Sequence, residues 1–437
     1  MPLTPDGPPP VAPTPDLARR FGSVRSTTRA LAEPLSEADT QVQSMPDASP
    51  TKWHLAHTTW FFETFVLEAH EPAFRPHHPA FRVLFNSYYN GIGEQHARPQ
   101  RGLVTRPGLA EVLAYRQAVD ERVLALLARG PTPAALAMLG LGLHHEQQHQ
   151  ELILTDLLHL LSCNPLAPAY RAPTPRTPGV AEPLSWSSFA GGRVEIGADG
   201  AGFAFDNEAP RHTRHLEPYA LADRLVTQGE WLAFVDDGGY RDPRWWLAAG
   251  WDWLRAQRIE ASGYWRRDVD GAWRVFTLGG AVDLDHEQPV VHVSLYEADA
   301  YARWCGERRA PGCRLPTEAE WEAVAAGTGA AAIADGNFLD DALWRPRAAR
   351  PRNGIKQMFG DVWEWTRSAY EPYPGYRPWT GAAGEYNGKF MVNQYVLRGG
   401  SFATPRSHIR VSYRNFFLAE REGEGRRREG CAEGGQG

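Results

Sequence analysis

A proline-rich segment at residues 165–185 divides this sequence into two parts with different hydrophobic periodicity. Proline lacks a backbone N–H donor and favours an extended chain, so a dense run of prolines does not continue a helix. Apolar residues in 17–164 recur at helical spacing, whereas 186–418 contains short β-like runs separated by Gly, Asp and Pro. The sequence therefore predicts a helical domain, a linker and an α+β domain, with disordered tails at 1–16 and 419–437.

Three long helices are predicted in the first part. Ser49 and Pro50 are residue types preferred at the cap and the first position of a helix, and they open a segment expected to be one long amphipathic helix. A second helix is predicted over 107–129, and a third begins at Thr132 and continues to about Pro165. Shorter helices in the second part are predicted at Thr227 to Phe234, at Ser294 to Cys305 and after Pro316.

The composition argues against several classes of partner. The net charge is −6 and no basic stripe is present, so nucleic acid is not an expected partner. The four cysteines have no C-x-x-C spacing, which predicts neither a disulfide scaffold nor a zinc ribbon and favours the cytoplasm. The apolar stretch at 152–161 is much shorter than the ~20 residues that span a bilayer. Small molecules are the expected partners, and no oligomeric state is predicted.

The string HEQQH in the third long helix is the sharpest chemical motif. His145 and His149 are four residues apart, so their rings leave the same helix face and can converge on one metal ion. The string also matches the zinc-peptidase pattern H-E-x-x-H, in which Glu146 would activate a zinc-bound water if a third ligand were present. A solvated polar stretch with a chance histidine pair is the alternative interpretation.

A third imidazole comes from the helix that contains WHLAHTTW. His57 lies on the apolar stripe of Trp53 and Trp60, where a buried ring needs a metal ion or a core hydrogen bond as its polar partner. His54 is placed on a different face and is expected at the surface or beside a ligand. Three neutral imidazoles leave three open positions, which suits iron(II) that activates oxygen, with zinc and one water as the alternative.

Two loops between the helices carry further candidates. Tyr88 and Tyr89 lie in the polar loop NSYYN. Paired tyrosines often fill domain seams, but beside an oxygen-activating metal a phenol can supply a proton or an electron. In the following loop, Arg98, Arg101 and Arg106 are either solvated charges or clamps for a substrate carboxylate.

The second part contains motifs that are dense in Gly, Trp and charge. We assign GDVWEW and LRGGSF to the structure of a loop-rich fold and not to chemistry. The segment YRNFF places Asn415 beside Phe416. Aromatic faces bind quaternary ammonium groups with ~2 kcal/mol when the cation is desolvated, although this segment alone would be assigned to the core.

Together these motifs resemble those of the ergothioneine-biosynthetic sulfoxide synthases, over about Leu17 to Phe417. The resemblance implies a multidomain α and α+β fold: a DinB-like four-helix bundle followed by a C-type-lectin-like domain similar to the formylglycine-generating enzyme. In the first domain it rests on SPTKWHLAHTTWFFE, NSYYNGIGEQHARPQRG and HHEQQHQE. In the second it rests on GGRVEIG, FDNEAPRH, VTQGEWLAF, RLPTEAEWE, GDVWEWT and LRGGSF.

The resemblance implies a reaction that joins the sulfur of cysteine or γ-glutamylcysteine to imidazole C2 of hercynine and oxidises that sulfur with one O2. It implies iron(II) as the cofactor, and the NSYYN loop looks like the branch of the family that accepts free cysteine. The implied roles are iron ligation by His57, His145 and His149, contact with the trimethylhistidine by Gln148, Asn415 and Phe416, acid function for Tyr88 or Tyr89, and contact with the donor's carboxylate by Arg98 and Arg101.

The sequence leaves several alternatives open. Within the superfamily they are a selenoneine synthase and an ovothiol-type synthase. From other classes they are a zinc hydrolase built on HEQQH and a non-catalytic lectin-like binding module. A formylglycine-generating activity is not expected, because the cysteine pair of that family would lie near Tyr413 to Asn415, where this chain has none.

The carboxyl end departs from the family pattern. Relatives continue after the aromatic pair with an apolar strand that closes the second domain, whereas this chain reads LAEREGEGRRREGCAEGGQG after Phe417. Such a composition buries little apolar surface. We therefore expect an exposed sheet edge or groove beside Asn415 and Phe416.

Overall fold

The computed structural model of the chain describes residues 14–173 and 182–420. Most of the two predicted tails and the centre of the predicted linker lie outside the described residues. Within the described part, no helix is both long and apolar enough to cross a membrane.

The first domain is a bundle in which four long helices pack against one another, and this confirms the predicted helical bundle. The helices of this domain are α1 (Thr14–Ala32), α2 (Glu37–Gln41), α3 (Thr51–Phe62), α4 (Glu68–His70), α5 (Phe81–Leu84), α6 (Leu109–Ala128) and α7 (Pro133–Ser162). The long helices are α1, α3, α6 and α7, and a π-helical turn at Glu63–Leu67 extends α3.

Helix α3 differs from its prediction in two respects. It is not amphipathic, because every residue of Thr51–Phe62 is buried where α3 packs against α1, α6 and α7. It also begins one residue late, with Pro50 at the cap position and no side-chain cap. Ser49 is engaged elsewhere: its N–H donates to Asp156 Oδ2, and its hydroxyl accepts from the guanidinium of Arg101.

The start of α7 follows its prediction. The Thr132 hydroxyl accepts a hydrogen bond from the Ala135 N–H at 3.3 Å and satisfies one of the free donors at the helix start. The helix is 30 residues long and most of its residues are buried, so it forms the central strut of the domain. It positions both HEQQH histidines.

The second domain is α+β, as predicted, with small antiparallel sheets. The elements are β1 (Trp186–Phe189), β2 (Gly192–Ile196), β3 (His212–Leu216), β4 (Tyr219–Ala222), α8 (Gln228–Asp236), α9 (Ala248–Gln257), β5 (Trp265–Arg267), β6 (Trp273–Thr277), β7 (Gly280–Asp283), α10 (Leu295–Arg308), α11 (Glu318–Asp335), β8 (Glu364–Ala369), β9 (Gln394–Arg398) and β10 (Asn415–Leu418). In the described residues, β1 pairs with β4 and β2 pairs with β3, and two three-stranded sheets have the strand orders β5-β6-β7 and β10-β9-β8.

Three predicted helix starts in this domain are confirmed by their caps. Thr227, Ser294 and Thr317 each accept a hydrogen bond from a backbone N–H three residues on, and a glutamate at that position returns a bond to the cap. These reciprocal pairs satisfy two free donors at each helix start.

The boundary regions are more ordered than the sequence predicts. Helix α1 begins at Thr14, inside the predicted tail, since proline is tolerated in a first helical turn. In the linker, Tyr170 is buried; its O–H donates to Leu31 O at 2.7 Å and its N–H to Leu278 O at 2.9 Å, so this part contacts both domains. Ala419 is buried, and in the described residues β10 lies at a sheet edge, as expected.

Candidate metal centre

Three histidines from two helices meet inside the bundle. His57 of α3 and His145 and His149 of α7 each present a ring nitrogen, and these atoms all lie within 4.8 Å of one another. His57 Nε2 is 3.1 Å from His145 Nε2, and all three rings are buried. Among the described residues this is the only such cluster of three or more His, Cys, Asp or Glu side chains.

The hydrogen bonds and the burial leave these rings neutral. His57 Nδ1 lies 2.6 Å from the carbonyl oxygen of Phe85, which only accepts, so Nδ1 carries the proton and Nε2 has the lone pair. Burial is the main cause that lowers the pKa of His57 and His149 well below the usual value and that of His145 to about 3. Neutral imidazoles are the form that binds metals.

The donor set fits a divalent transition metal. The lone pair of His57 Nε2 is directed at the nearby His145 ring, and the other nitrogen of that ring, Nδ1, is buried with no partner in the described part of the chain. Close acceptor nitrogens repel one another unless a proton or a cation lies between them. Imidazole nitrogens suit zinc, iron, copper and nickel.

His54 lies beside His149 and not at the surface, so the second of its two expected placements is the one observed. It is buried, and its Nδ1 is 2.8 Å from His149 Nδ1. Its Nε2 is 3.0 Å from Asp156 Oδ2. The expected placement of His54 and His57 on different faces is wrong, because residues three apart on a helix lie only about 60° apart around its axis, so both rings reach α7.

The glutamate of HEQQH does not serve the cluster. Glu146 is fully buried between two arginines, with Oε2 2.9 Å from Arg25 Nη1 and Oε1 in contact with Arg116 Nη2. Burial alone would raise its pKa, but the two guanidinium groups hold the pKa at about 2. A carboxylate paired in this way is no general base for a metal-bound water, so the zinc-hydrolase alternative loses its catalytic group.

Aromatic rings fix the orientation of the histidines. Trp53 stacks on His57 with ring centroids 4.5 Å apart, and Phe61 lies 4.5 Å from His145. The guanidinium carbon of Arg101 is 3.4 Å from the Trp53 ring centroid. Burial, with a smaller contribution from Arg98, lowers the pKa of Arg101 to about 8. Arg101 therefore supports the aromatic wall, whereas Arg98 is exposed on a 3-10 turn.

The two predicted tyrosines lie together near this wall. Their rings stack at 4.6 Å, and the Tyr89 ring is 5.8 Å from Trp60. Burial raises the pKa of Tyr88 to about 12 and that of Tyr89 well above its usual value, so both phenols hold their proton at neutral pH. Two residues of the second domain secure their loop: Glu385 accepts from backbone N–H groups of 90 and 91, and Lys389 donates to the Tyr88 carbonyl.

Gln148 connects the cluster to the second domain. Its Oε1 accepts a hydrogen bond from Tyr386 Oη, and its Nε2 donates to Tyr413 Oη at 2.7 Å. The Tyr386 ring is 5.8 Å from His145. No local sequence pattern indicates Tyr386, because it is an isolated residue in a Gly-rich loop that reaches the site only through the tertiary fold.

Asn415 and Phe416 lie on β10, and no described contact joins them to the histidines. Phe416 stacks on Tyr370 at 3.9 Å, and its other ring neighbour, Phe390, is 6.0 Å away. Phe390 in turn lies 5.3 Å from Tyr88. The pair is thus connected to the tyrosine loop through one intervening aromatic ring.

The motifs assigned to structure hold α7 against the second domain. Glu151, two residues after His149, accepts hydrogen bonds from Trp363 Nε1 of GDVWEW, from Ser401 Oγ of LRGGSF and from Thr404 Oγ1. Burial raises the pKa of the Glu151 carboxyl. The tryptophan and serine of these motifs therefore fix the turn of α7 that follows the histidines.

Comparison with known proteins accounts for both domains. The FGE-sulfatase family, a sulfatase-modifying factor enzyme 1-like domain, matches residues 181–425, and the DinB superfamily matches 20–153. A hercynine oxygenase of Mycolicibacterium thermoresistibile is 34% identical over 92% of this chain and 91% of its own. One of Mycobacterium tuberculosis is 32% identical over 92% and 94%.

The chain belongs to the hercynine oxygenase family. It is therefore an oxygenase, which confirms the predicted enzyme class. A formylglycine-generating enzyme of Streptomyces coelicolor is 32% identical over 48% of this chain and 76% of its own, so that likeness is confined to part of the chain. Membership of this family also disfavours the lectin-like binding module as the whole function.

Proposed function

We propose that this chain is an iron(II)-dependent sulfoxide synthase of ergothioneine biosynthesis. It joins the sulfur of cysteine or γ-glutamylcysteine to C2 of the hercynine imidazole and oxidises that sulfur. The observation that supports this proposal most strongly is the buried cluster of His57, His145 and His149 in a chain similar to hercynine oxygenases over nine-tenths of its length. The scattered cysteines favour the cytoplasm as its location.

The reaction balances with oxygen as the only oxidant. One thiol and one imidazole C–H react with one O2 to give one sulfoxide and one water. Forming the C–S bond removes two electrons and forming the S–O bond removes two more, which together equal the four electrons that O2 accepts. No external reductant is needed.

The proposed ligands are His57, His145 and His149, and iron(II) held there would supply oxygen activation and a binding position for the thiolate. The protein keeps the three histidine rings neutral, holds their orientation and excludes water from them. Burial keeps them neutral, and the stacked Trp53 ring limits the rotation of His57. Three imidazole ligands would leave other coordination positions of such an ion open for substrates.

The tyrosine loop is the proposed proton source. Tyr88 and Tyr89 both hold a phenolic proton at neutral pH because burial raises their pKa. A positioned phenol can deliver that proton to an oxygen atom that gains negative charge during the reaction. Tyr89 shares the aromatic wall with the histidine cluster and is fully buried, so it is the candidate we favour.

One proposed hercynine contact, Gln148, bonds to residues of the second domain. The Gln148 amide nitrogen carries two hydrogens, and one described contact, with Tyr413, uses one of them. The other can bind the substrate carboxylate or imidazole. Asn415 and Phe416 remain proposed contacts for the trimethylammonium group, and Arg98, which is exposed, is a better proposed clamp for the donor carboxylate than the buried Arg101.

Oxygen consumption tests this proposal. The protein is loaded anaerobically with iron(II) and mixed with hercynine and one donor: cysteine, γ-glutamylcysteine or a selenosugar. We expect one O2 consumed per sulfoxide detected by mass spectrometry, with cysteine or γ-glutamylcysteine preferred. Histidine in place of hercynine distinguishes an ovothiol-type synthase. Iron-loaded protein that consumes no oxygen with any donor contradicts the proposal.

A further inference from the structure

Two residues that are not proposed ligands connect in series to the proposed ligand His149. Asp156 Oδ2 is 3.0 Å from His54 Nε2, and His54 Nδ1 is 2.8 Å from His149 Nδ1. Asp156 Oδ2 also accepts the Ser49 N–H at 2.8 Å, which fixes the carboxylate at the start of α3. His54 is buried, and its ring meets that of Trp53 edge-on.

The chemistry of the contacts determines where the protons lie. An ionised carboxylate only accepts hydrogen bonds, so Asp156 requires a proton on His54 Nε2. The tautomer in which His149 donates from its Nδ1 to a lone pair on His54 Nδ1 satisfies the 2.8 Å contact. It leaves the lone pair of His149 on Nε2, where it can bind a metal ion.

We propose that Asp156 and His54 are positioning residues for His149, and that they fix its tautomer and its ring orientation for metal binding. This inference rests on the proposed function, because it assumes that His149 is a ligand. A carboxylate acting through a neutral imidazole makes the ligand nitrogen more basic than a free ring.

The three proposed ligands therefore differ in the hydrogen bonding of the ring nitrogen Nδ1. His57 donates to a backbone carbonyl, His149 donates into the His54 and Asp156 pair, and His145 Nδ1 has no partner among the described residues. Among these hydrogen bonds, only the one made by His149 goes to a side chain. It can be removed by substitution without changing a ligand.

The test measures metal binding and not turnover. Cobalt(II) is titrated into the full-length protein in competition with a chelator, and the visible band of the bound cobalt is recorded. The variant His54→Phe keeps a ring but deletes both nitrogens, and we expect its affinity to fall by roughly 10- to 100-fold with a shifted band. The matched control is His408→Phe, the same change at a buried histidine outside the cluster, and we expect an unchanged affinity and band.

A second variant keeps the inference testable if His54→Phe does not fold. Asp156→Asn retains an oxygen that can accept both hydrogen bonds but removes the charge, so we expect a smaller loss of affinity, of a few-fold. Wild-type affinity and an unshifted band in the folded variants would overturn the inference. A wild-type protein that binds no metal would instead overturn the proposed function, and the inference with it.

Discussion

Helix α7 contributes histidines to two buried clusters, and the two clusters differ in the groups that surround them. One is the metal-centre cluster of His57, His145 and His149. The other pairs His144 with His408, whose Nδ1 atoms are 2.9 Å apart. Burial is the first cause that lowers the pKa of the histidines in both clusters. Close approach of two buried imidazoles is therefore not enough to identify a metal centre.

The difference lies in what surrounds each cluster. His144 Nε2 is 2.9 Å from the guanidinium of Arg20, which only donates, so that lone pair is already used. After burial, the positive charges of Arg410 and Arg20 lower the pKa of His408, and Arg101 acts in the same direction on His57 and His149. What distinguishes the metal-centre cluster, within the described residues, is that its rings contact a carbonyl and, through His54, a carboxylate, and not a guanidinium donor.

The largest expected effect separates the two clusters directly. His145→Ala removes one of only three proposed ligands, so we expect iron(II) affinity to fall by roughly 100-fold or more, beyond the loss for a supporting partner. His144→Ala removes the neighbouring buried histidine and leaves all three in place, so we expect a wild-type iron content. Iron is measured by metal analysis after dialysis, and folding by circular dichroism. Stoichiometric iron in the folded His145→Ala protein would contradict the ligand assignment.

The next effect concerns the phenols that accompany only the metal-centre cluster. Tyr89→Phe deletes one hydroxyl and keeps the ring, so we expect sulfoxide formation to fall by ~100-fold and thiol oxidation to take its place. Tyr88→Phe tests the other candidate. Tyr219→Phe, which loses a hydroxyl bonded to the Glu320 carbonyl, is the control. Full synthase rates in both loop variants would place the proton donor elsewhere.

A smaller effect is expected from the contact that holds the tyrosine loop. Glu385 accepts the N–H groups of Asn90 and Gly91 at 3.0 and 2.7 Å. Glu385→Ala releases the loop without touching a histidine, so we expect kcat to fall by ~10-fold while iron content stays at the wild-type value. Glu385→Gln keeps one of the two acceptor oxygens and should recover part of the rate. A wild-type kcat in the folded Glu385→Ala protein would show that these contacts do not position the loop for the reaction.

Sequence reasoning found the parts of the site that follow helical geometry. The spacing of His145 and His149 determines that they share a face, and the apolar stripe around His57 predicts its burial; the structure brings these three together. Spacing did not reveal that Glu146 lies between Arg25 and Arg116, since those partners come from other helices. Contacts of this kind depend on tertiary packing, which local pattern does not encode.

The fold likewise has features that local sequence predicts and features that depend on tertiary packing. The caps at Thr227 and Ser294 were predictable because each helix start is a local pattern of a hydroxyl and a glutamate three residues on. The burial of all of α3 was not, because its polar residues read as a solvent-facing side. Tyr386 reaches Gln148 from 238 residues away in the chain, and nothing near it in the sequence indicates that contact.

Buried carboxylates also differ according to their neighbours, as the two histidine clusters do. Glu146, between two arginines, has its pKa held at about 2 although burial alone would raise it. Glu297 is equally buried in α10, but the groups that bond to it are the Ser294 N–H and hydroxyl and the Tyr240 hydroxyl, all uncharged. Burial raises its pKa to about 7.

The smallest expected effect follows from this raised pKa. Above about pH 4.5 the unfolded chain releases the Glu297 proton while the folded protein retains it, so wild-type stability falls as the pH rises towards about 7. Glu297→Gln has no such proton and keeps the hydrogen-bonding shape of the side chain. The free energy of unfolding of the variant minus that of wild type should therefore increase by on the order of 2 kcal/mol from about pH 5 to about pH 8. Denaturant unfolding at both pH values measures this gain, and Glu307→Gln, exposed on the same helix, should show none. If this difference is the same at both pH values, Glu297 is already charged in the folded protein at pH 5.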